Sequence, residues 1–259
     1  MRADKFFAEK FGSRTKAKEA LSAGRILRGG RPLSPSDEVS DCDVFTVLEG
    51  EDFVSGGGRK LDRALDVFHE SVEGETFADL GASTGGFTDC LLRRGASKVF
   101  CVDVGESLLD ARIASDSRVT IMDKTNARYL TRESFPERIG GVVSDLSFIS
   151  LRLVLPAIHS ILPEEGRAFV LFKPQFECGG KGLGKSGILP KAYHRNLLAQ
   201  FYSFAAEMGL SPQNVINAPI FPKKNIEYVV FLKKGATPLS EREFLARAEN
   251  FYENWVDKL

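Results

Sequence analysis

From about residue 75 the chain alternates short apolar runs with longer amphipathic ones. "TFADLG", "KVFCVDVG", "RVTIMD", "GGVVSDLS" and "RAFVLFKP" are apolar runs of strand length, most of them ending at an acidic or basic residue. Segments of helical period lie between several of them. "FTDCLLRRG" stops at Gly95, "LRLVLPAIHSIL" has Pro156 in its first turn, and "AYHRNLLAQFYSFAAEMG" follows the fifth run. Such alternation predicts a mainly parallel sheet with helices on both faces. "QNVINAPIF" and "IEYVVFLKKG" follow, joined by a polar loop too short for a crossover, so they pair antiparallel. A last helical pattern, "SEREFLARAENFYENWVDKL", closes the chain. The expected fold is α/β: a doubly wound, mainly parallel, seven-stranded Rossmann-like sheet closed by one antiparallel strand, the form found in methyltransferases.

The first fifty residues read differently. "ADKFFAEKF" places Phe7 and Phe11 on one helical face before Gly12. Ser13 can cap a second helix, "SRTKAKEALSAG", which Gly24 stops. "RILR", a Gly-Gly turn and "RPL" read as a hairpin, and "DVFTVL" as a third strand. The expected organisation is a small α+β module over 1–50, a connecting segment and first helix over 51–74, and the large domain over 75–259.

Charge sharpens that division. Lys+Arg and Asp+Glu are both 35, so the whole chain predicts no partner. Residues 1–31, however, carry nine basic side chains against three acids, while 32–52 carry seven acids and no Lys or Arg. A basic first module suggests a polyanion as partner, through Arg2, Lys5, Arg14, Lys16, Lys18, Arg25 and Arg28. The cysteines (Cys42, Cys90, Cys101, Cys178) form no CxxC pair and the three histidines no HExxH, so all seven read as structural and no metal site is expected. Charges from Arg2 onward leave no room for a signal peptide, and no apolar run has the ~20 residues of a membrane span. A reducing cytoplasm is the expected compartment.

"DLGASTGGFTDCL" is the strongest single motif. A strand delivers Asp79, a tight loop runs from Gly81 through Ser83, Thr84 and Gly85 to Gly86, and a helix opens near Phe87. Asp103 closes the next strand, placed to accept hydrogen bonds from ribose hydroxyls, and Asp123 ends the third, within reach of an adenine edge. A dinucleotide and S-adenosylmethionine both fit Gly81 and Asp103. The antiparallel last strand and the Asp79 start favour S-adenosylmethionine. "GGKGLGKS", Gly179–Ser186, matches a phosphate-loop pattern letter for letter. Gly187 and Pro190 follow at once, so no helix opens at its Lys-Ser, and a basic loop beside the active site is the better reading.

Three charged residues mark strand ends near that loop: Asp145 in "SDLSF", Lys173 in "LFKPQFE" and Glu227 in "NIEYVVF". A lysine serves as a base when burial or neighbouring positive charge lowers its pKa. A second lysine would complete such a constellation, and "FVSGGGRKL", Phe53–Leu61, ends on one.

With these motifs the chain resembles the TlyA/hemolysin-A family of ribosomal RNA 2'-O-ribose methyltransferases, whose catalytic domain is FtsJ-like and whose N-terminal RNA-binding domain is of the ribosomal protein S-four type. "FVSGGGRKL", "DLGASTGGFTDCLL", "VDVG", "TNAR", "SDLSFISL", "FKPQFE", "GKSG" and "NIEYVVF" carry the resemblance over nearly the whole chain. It implies a Lys-Asp-Lys-Glu tetrad at Lys60, Asp145, Lys173 and Glu227, with Lys173 as general base toward a cytidine 2'-hydroxyl. It also implies S-adenosylmethionine against Asp79, Gly81, Ser83, Thr84, Gly85, Gly86, Phe87, Asp103 and Asp123, and ribosomal RNA or a ribosomal subunit as partner. Gly56 stands where the family usually has arginine. A base-amino methyltransferase is the alternative within enzymes, but "DLSF" lacks the prolines of its [DN]-P-P-[YFW] motif. An RNA-binding protein with an inactive catalytic domain is opposed by the intact tetrad. A membrane-active hemolysin is opposed by the absence of a spanning segment.

Overall fold

The computed structural model describes residues 1–22, 24–48, 53–219 and 224–250. The first module holds α1 (Ala3–Phe6), α2 (Arg14–Ser22), β1 (Ile26–Arg28), β2 (Arg31–Pro32) and β3 (Phe45–Val47). Its antiparallel sheet has the order β2-β1-β3 and its own core around Phe7, Leu21, Ile26 and Leu33. The helix expected through Phe11 ends at Phe6, and turns carry the chain to Gly12, whose φ is +75°. Phe7 and Phe11 still meet edge to face at 6.5 Å.

The large domain runs α3 (Gly56–Phe68), β4 (Thr76–Leu80), α4 (Gly86–Arg93), β5 (Lys98–Val102), α5 (Ala111–Ala114), β6 (Val119–Met122), β7 (Gly141–Ser144), α6 (Leu155–Ile161), β8 (Arg167–Phe172), α7 (Pro174–Glu177), α8 (His194–Glu207), β9 (Leu210–Asn217), β10 (Tyr228–Lys234) and α9 (Glu241–Glu249). Its seven strands have the order β6-β5-β4-β7-β8-β10-β9, and only β10 runs against the rest. β9 begins at Leu210, ahead of the expected Gln213, and so contains Pro212. It is an edge strand, where a residue without an N–H is tolerated. Part of the β9–β10 loop (220–223) and the expected helical continuation over 251–259 lie outside the described residues.

Both faces of the sheet are covered. Phe77, Val99, Val143, Phe169 and Phe231 pack under α3 and α4, where Phe68, Phe169 and Phe231 stack at 5.0–6.5 Å. Ala78, Leu80, Val102, Val170 and Phe172 face α6, α8 and α9 on the other side. Among the described residues no helix is long and apolar enough to cross a membrane. The chain leaves β4 toward β5 and β6, then returns to β7 on the opposite side. That reversal opens a crevice at the carboxyl ends of β4 and β7, the place where doubly wound sheets bind ligands.

Candidate active site

A cleft of about 610 Å³ lies at this crevice. Its wall includes Asp79, Gly81, Ser83, Thr84, Gly86, Phe87, Asp103, Asp145 and Lys173, with Val102, Val104, Leu108 and Ala127 as an apolar side. Gly81 has φ +86°, and a Cβ there would meet Leu146 at 2.7 Å, so loop and β7 end approach too closely for a side chain. Ser83 takes a left-handed φ of +48°, a conformation that favours glycine. Its N–H donates to Asp103 Oδ2 at 2.9 Å, and Gly105 N–H donates to Oδ1 at 2.8 Å. Asp103 therefore sets the loop's shape while facing the cleft.

Asp79 is buried. Its Oδ2 accepts from Thr88 N (3.1 Å) and Thr88 Oγ1 (2.7 Å), whereas its Oδ1 has no hydrogen-bond partner. Burial pushes its pKa up to about 7, against the pull of Thr88 and with the help of the Asp145 and Asp103 charges. A buried carboxylate oxygen without a partner suits a cationic ligand group.

The glycines of "SGGGRKL" form the first turn of α3. Ser55 caps it, accepting from Gly57 N at 3.4 Å. Three glycines weaken a helix by roughly 1 kcal/mol each, and packing offsets this. The N-termini of α3 and α4 lie against each other. A Cβ on Gly86 would stand 2.1 Å from Ser55 Oγ and 3.1 Å from Gly58 N, and one on Gly58 would enter the Phe53 ring. Asp89 of α4 holds the segment before α3 by accepting from Val54 N at 2.8 Å. Gly86→Ala is expected to cost about 1–3 kcal/mol, as overpacking does, because Ser55 can turn away only by leaving its cap. Urea denaturation measures it.

This docking aims Lys60 from the second turn of α3. Lys60 Nζ donates to Glu227 Oε2 at 2.7 Å and lies 3.8 Å from Asp145 Oδ2. Asp145 Oδ1 is 2.6 Å from Lys173 Nζ, which also donates to Ser147 Oγ at 2.8 Å. The four side chains expected from sequence thus form one chain of contacts, Glu227–Lys60–Asp145–Lys173. Burial pulls the Lys60 pKa down, but the Asp145 and Glu227 carboxylates together raise it above the ordinary lysine value. Lys60 is a fixed cation. Lys173 is 7% exposed and opens on the cleft.

A family model for FtsJ-like methyltransferases matches residues 53–234. The chain belongs to the FtsJ-like methyltransferase family. It is 40% identical over 227 residues to the 16S/23S rRNA (cytidine-2'-O)-methyltransferase TlyA of Mycobacterium tuberculosis, covering 85% of this chain and 84% of that protein. It is 37% identical over 221 residues to hemolysin A of Brachyspira hyodysenteriae, covering 84% of this chain and 92% of that one. A solved structure named as a hemolysin, from Streptococcus thermophilus, superposes with a TM-score of 0.73 at 36% identity over 96% of this chain and 95% of that one.

The FtsJ-like match starts at Phe53, the residue that Gly58 packs against, and takes in all four members of the charged chain. Two expected cofactor residues stand outside the wall of the cleft. Gly85 caps α4. Asp123 accepts from Ser107 N at 2.9 Å, while Thr125, Asn126 and Arg128 line the cleft in its neighbourhood. The glycine-lysine loop at 179–187 is separated from β8 by α7, and the next α-helix opens only at His194, so no strand–loop–helix phosphate site exists there. His194 is buried at the start of α8. Leu189 O can only accept from its Nε2–H, which leaves Nδ1 to accept from Tyr228 Oη at 2.9 Å.

The basic module is less free than its charge count implied. Buried Asp4 accepts from Arg2 (3.0 Å) and Arg14 (3.0 Å), whose bonds hold its carboxyl down at about 2. Arg28 pairs with Asp43 at 3.3 Å, and Arg25 donates to Leu48 O while lying over Phe11. Lys5, Lys16 and Lys18 are exposed.

Sequence reading missed Ser147, Phe148 and Glu177. Phe148 has φ +63° and is 91% exposed, its ring tilted against Phe176 at 5.2 Å. Phe176 in turn lies 5.9 Å from Lys173 Nζ. The available signal was "SDLSF" itself, which carries a large aromatic residue three positions past Asp145.

Proposed function

We propose that the protein transfers a methyl group from S-adenosylmethionine to a cytidine 2'-hydroxyl of ribosomal RNA, in the cytoplasm, with Lys173 as general base. The observation that carries this reading is the geometry at Lys173 Nζ. Two of its tetrahedral positions are N–H bonds directed at Asp145 Oδ1 and Ser147 Oγ. A neutral amine keeps both bonds and has its lone pair at a remaining position, available to a hydroxyl in the cleft. Lys60 shares the Asp145 carboxylate from its other side, and Asp145 orients Lys173.

The fit of S-adenosylmethionine rests on the orphaned Asp79 Oδ1, which suits its ammonium, with Gly81, Ser83 and Thr84 alongside and Asp103 toward its ribose. When bound, it supplies the electrophilic methyl carbon. The exposed Phe148 ring, packed on Phe176, whose own ring lies 5.9 Å from Lys173 Nζ, offers a stacking face for the target base, a contact worth about 1–3 kcal/mol in single-stranded recognition.

The first module supplies phosphate contacts through its exposed lysines, while Arg2 and Arg14 hold it together through Asp4. A Lys16→Gln, Lys18→Gln protein should reduce the slope of log K against log[salt] for ribosomal RNA by about 1–2, roughly one per lost phosphate contact. An unchanged slope would place the contacts elsewhere. The function itself is tested by mapping ribose methylation on ribosomal RNA from cells with and without the protein. A cytidine that loses its 2'-O-methyl group is the expected result.

A further inference from the structure

The short helix α7 touches the loop after β7 at three places. Lys173, just before it, donates to Asp145 and Ser147. Phe176 carries the Phe148 ring. Glu177, its last residue, accepts from Ser150 Oγ at 2.5 Å and Leu151 N at 2.7 Å. Phe148 sits between these attachments in a left-handed conformation that a bulky side chain rarely adopts. Its ring is almost wholly in solvent, so burial does not keep it there. Leu146 and Ile149 pack on the core to either side of it, and the bonds at the loop's ends fix the rest of its shape.

From this we infer that Glu177 is a positioning residue. Its carboxylate clamps the end of the 146–151 loop to α7, and so fixes Phe148 beside Lys173 in the orientation that receives the target nucleotide. The inference rests on the proposed reaction and adds a residue to it. The chemistry suits a carboxylate best. Both groups facing Glu177 are donors, a hydroxyl and a backbone N–H, and an ionised carboxylate offers an acceptor oxygen to each. A glutamine would accept from Leu151 N and could only donate its NH₂ to Ser150 Oγ, reversing that bond and making both bonds neutral. Burial raises the Glu177 pKa, while the Ser150 and Leu151 bonds and the Arg152 charge act against this, as expected for a carboxylate taken out of water to bind two donors.

The test is a double-mutant cycle on Glu177→Gln and Phe148→Ala, combined with amide hydrogen exchange. Glu177→Gln should speed exchange over residues 146–151 about tenfold, as two charge-assisted hydrogen bonds become neutral ones. It should lower kcat by about tenfold, leaving KM for ribosomal RNA and affinity for S-adenosylhomocysteine within about twofold. In a Phe148→Ala background the same change should lower kcat by less than about twofold, because the ring it positions is gone. Ser150→Ala, which removes one bond from the other side, should give a smaller effect of the same kind. Additive losses in the cycle, or unchanged exchange over 146–151, would overturn the inference. A wild-type protein that methylates no ribose would instead overturn the proposed reaction, and the exchange result would still decide whether Glu177 clamps the loop.

Discussion

Lys173→Ala should leave a folded protein that binds S-adenosylmethionine and methylates ribosomal RNA about 100- to 10,000-fold more slowly, the range for losing a positioned general base. The loss should fall on kcat. Lys173 meets the reacting hydroxyl in the proposed complex, whereas cofactor contacts come from the β4 loop and RNA docking from the first module. Lys173→Arg should not rescue. A guanidinium stays protonated near neutral pH and its planar fork cannot reproduce the bonds from one tetrahedral nitrogen to Asp145 and Ser147. Single-turnover methylation at saturating cofactor measures the rate, and S-adenosylhomocysteine titration provides the binding control. A Lys173→Ala protein with wild-type turnover would remove Lys173 from the mechanism.

Asp79→Asn should weaken S-adenosylhomocysteine about 10- to 100-fold, the value of one hydrogen bond to a charged group lost from a buried site. The amide keeps the shape and can still accept from Thr88, but it brings no charge to a ligand ammonium. A pH signature follows from the raised pKa. Ordinary aspartate titrates near 3.8, and Asp79 in the free protein near 7. Below about 7 the free protein carries a proton there that a cationic ligand must expel, so affinity should rise with pH from 6 to 8 and level off above. For the ligand-free protein the sign is opposite. A carboxyl with a raised native pKa contributes stability that is fully present below 3.8 and is lost as pH rises through about 7. Asp79→Asn should flatten both profiles.

The sequence made the large sheet legible because its strands are continuous apolar runs and its functional acids and bases sit at their ends. Asp79, Asp145 and Lys173 could be placed on one edge without coordinates. The glycine run was harder. Three consecutive glycines read locally as a break, and only the approach of α4, with Gly86 against Ser55, makes a helical turn of them. Asp123 and the arginines of the first module share another difficulty. A charge in a sequence does not disclose its partner, and Ser107 N, Asp4 and Asp43 occupy these groups in the fold. Glu177 was invisible for a related reason. Its contacts join α7 to the loop after β7, two segments that share no local pattern.

The most direct test uses purified protein, ribosomal RNA and S-adenosylmethionine labelled in its methyl group, followed by alkaline hydrolysis of the RNA. Alkali cleaves through the free 2'-hydroxyl, so ribose methylation leaves a resistant dinucleotide. The label should be recovered there, on 2'-O-methylcytidine, with wild-type protein and be lost with Lys173→Ala. Label recovered on a base in mononucleotides, or no transfer by the wild-type protein to free RNA or intact subunits, would contradict the assignment.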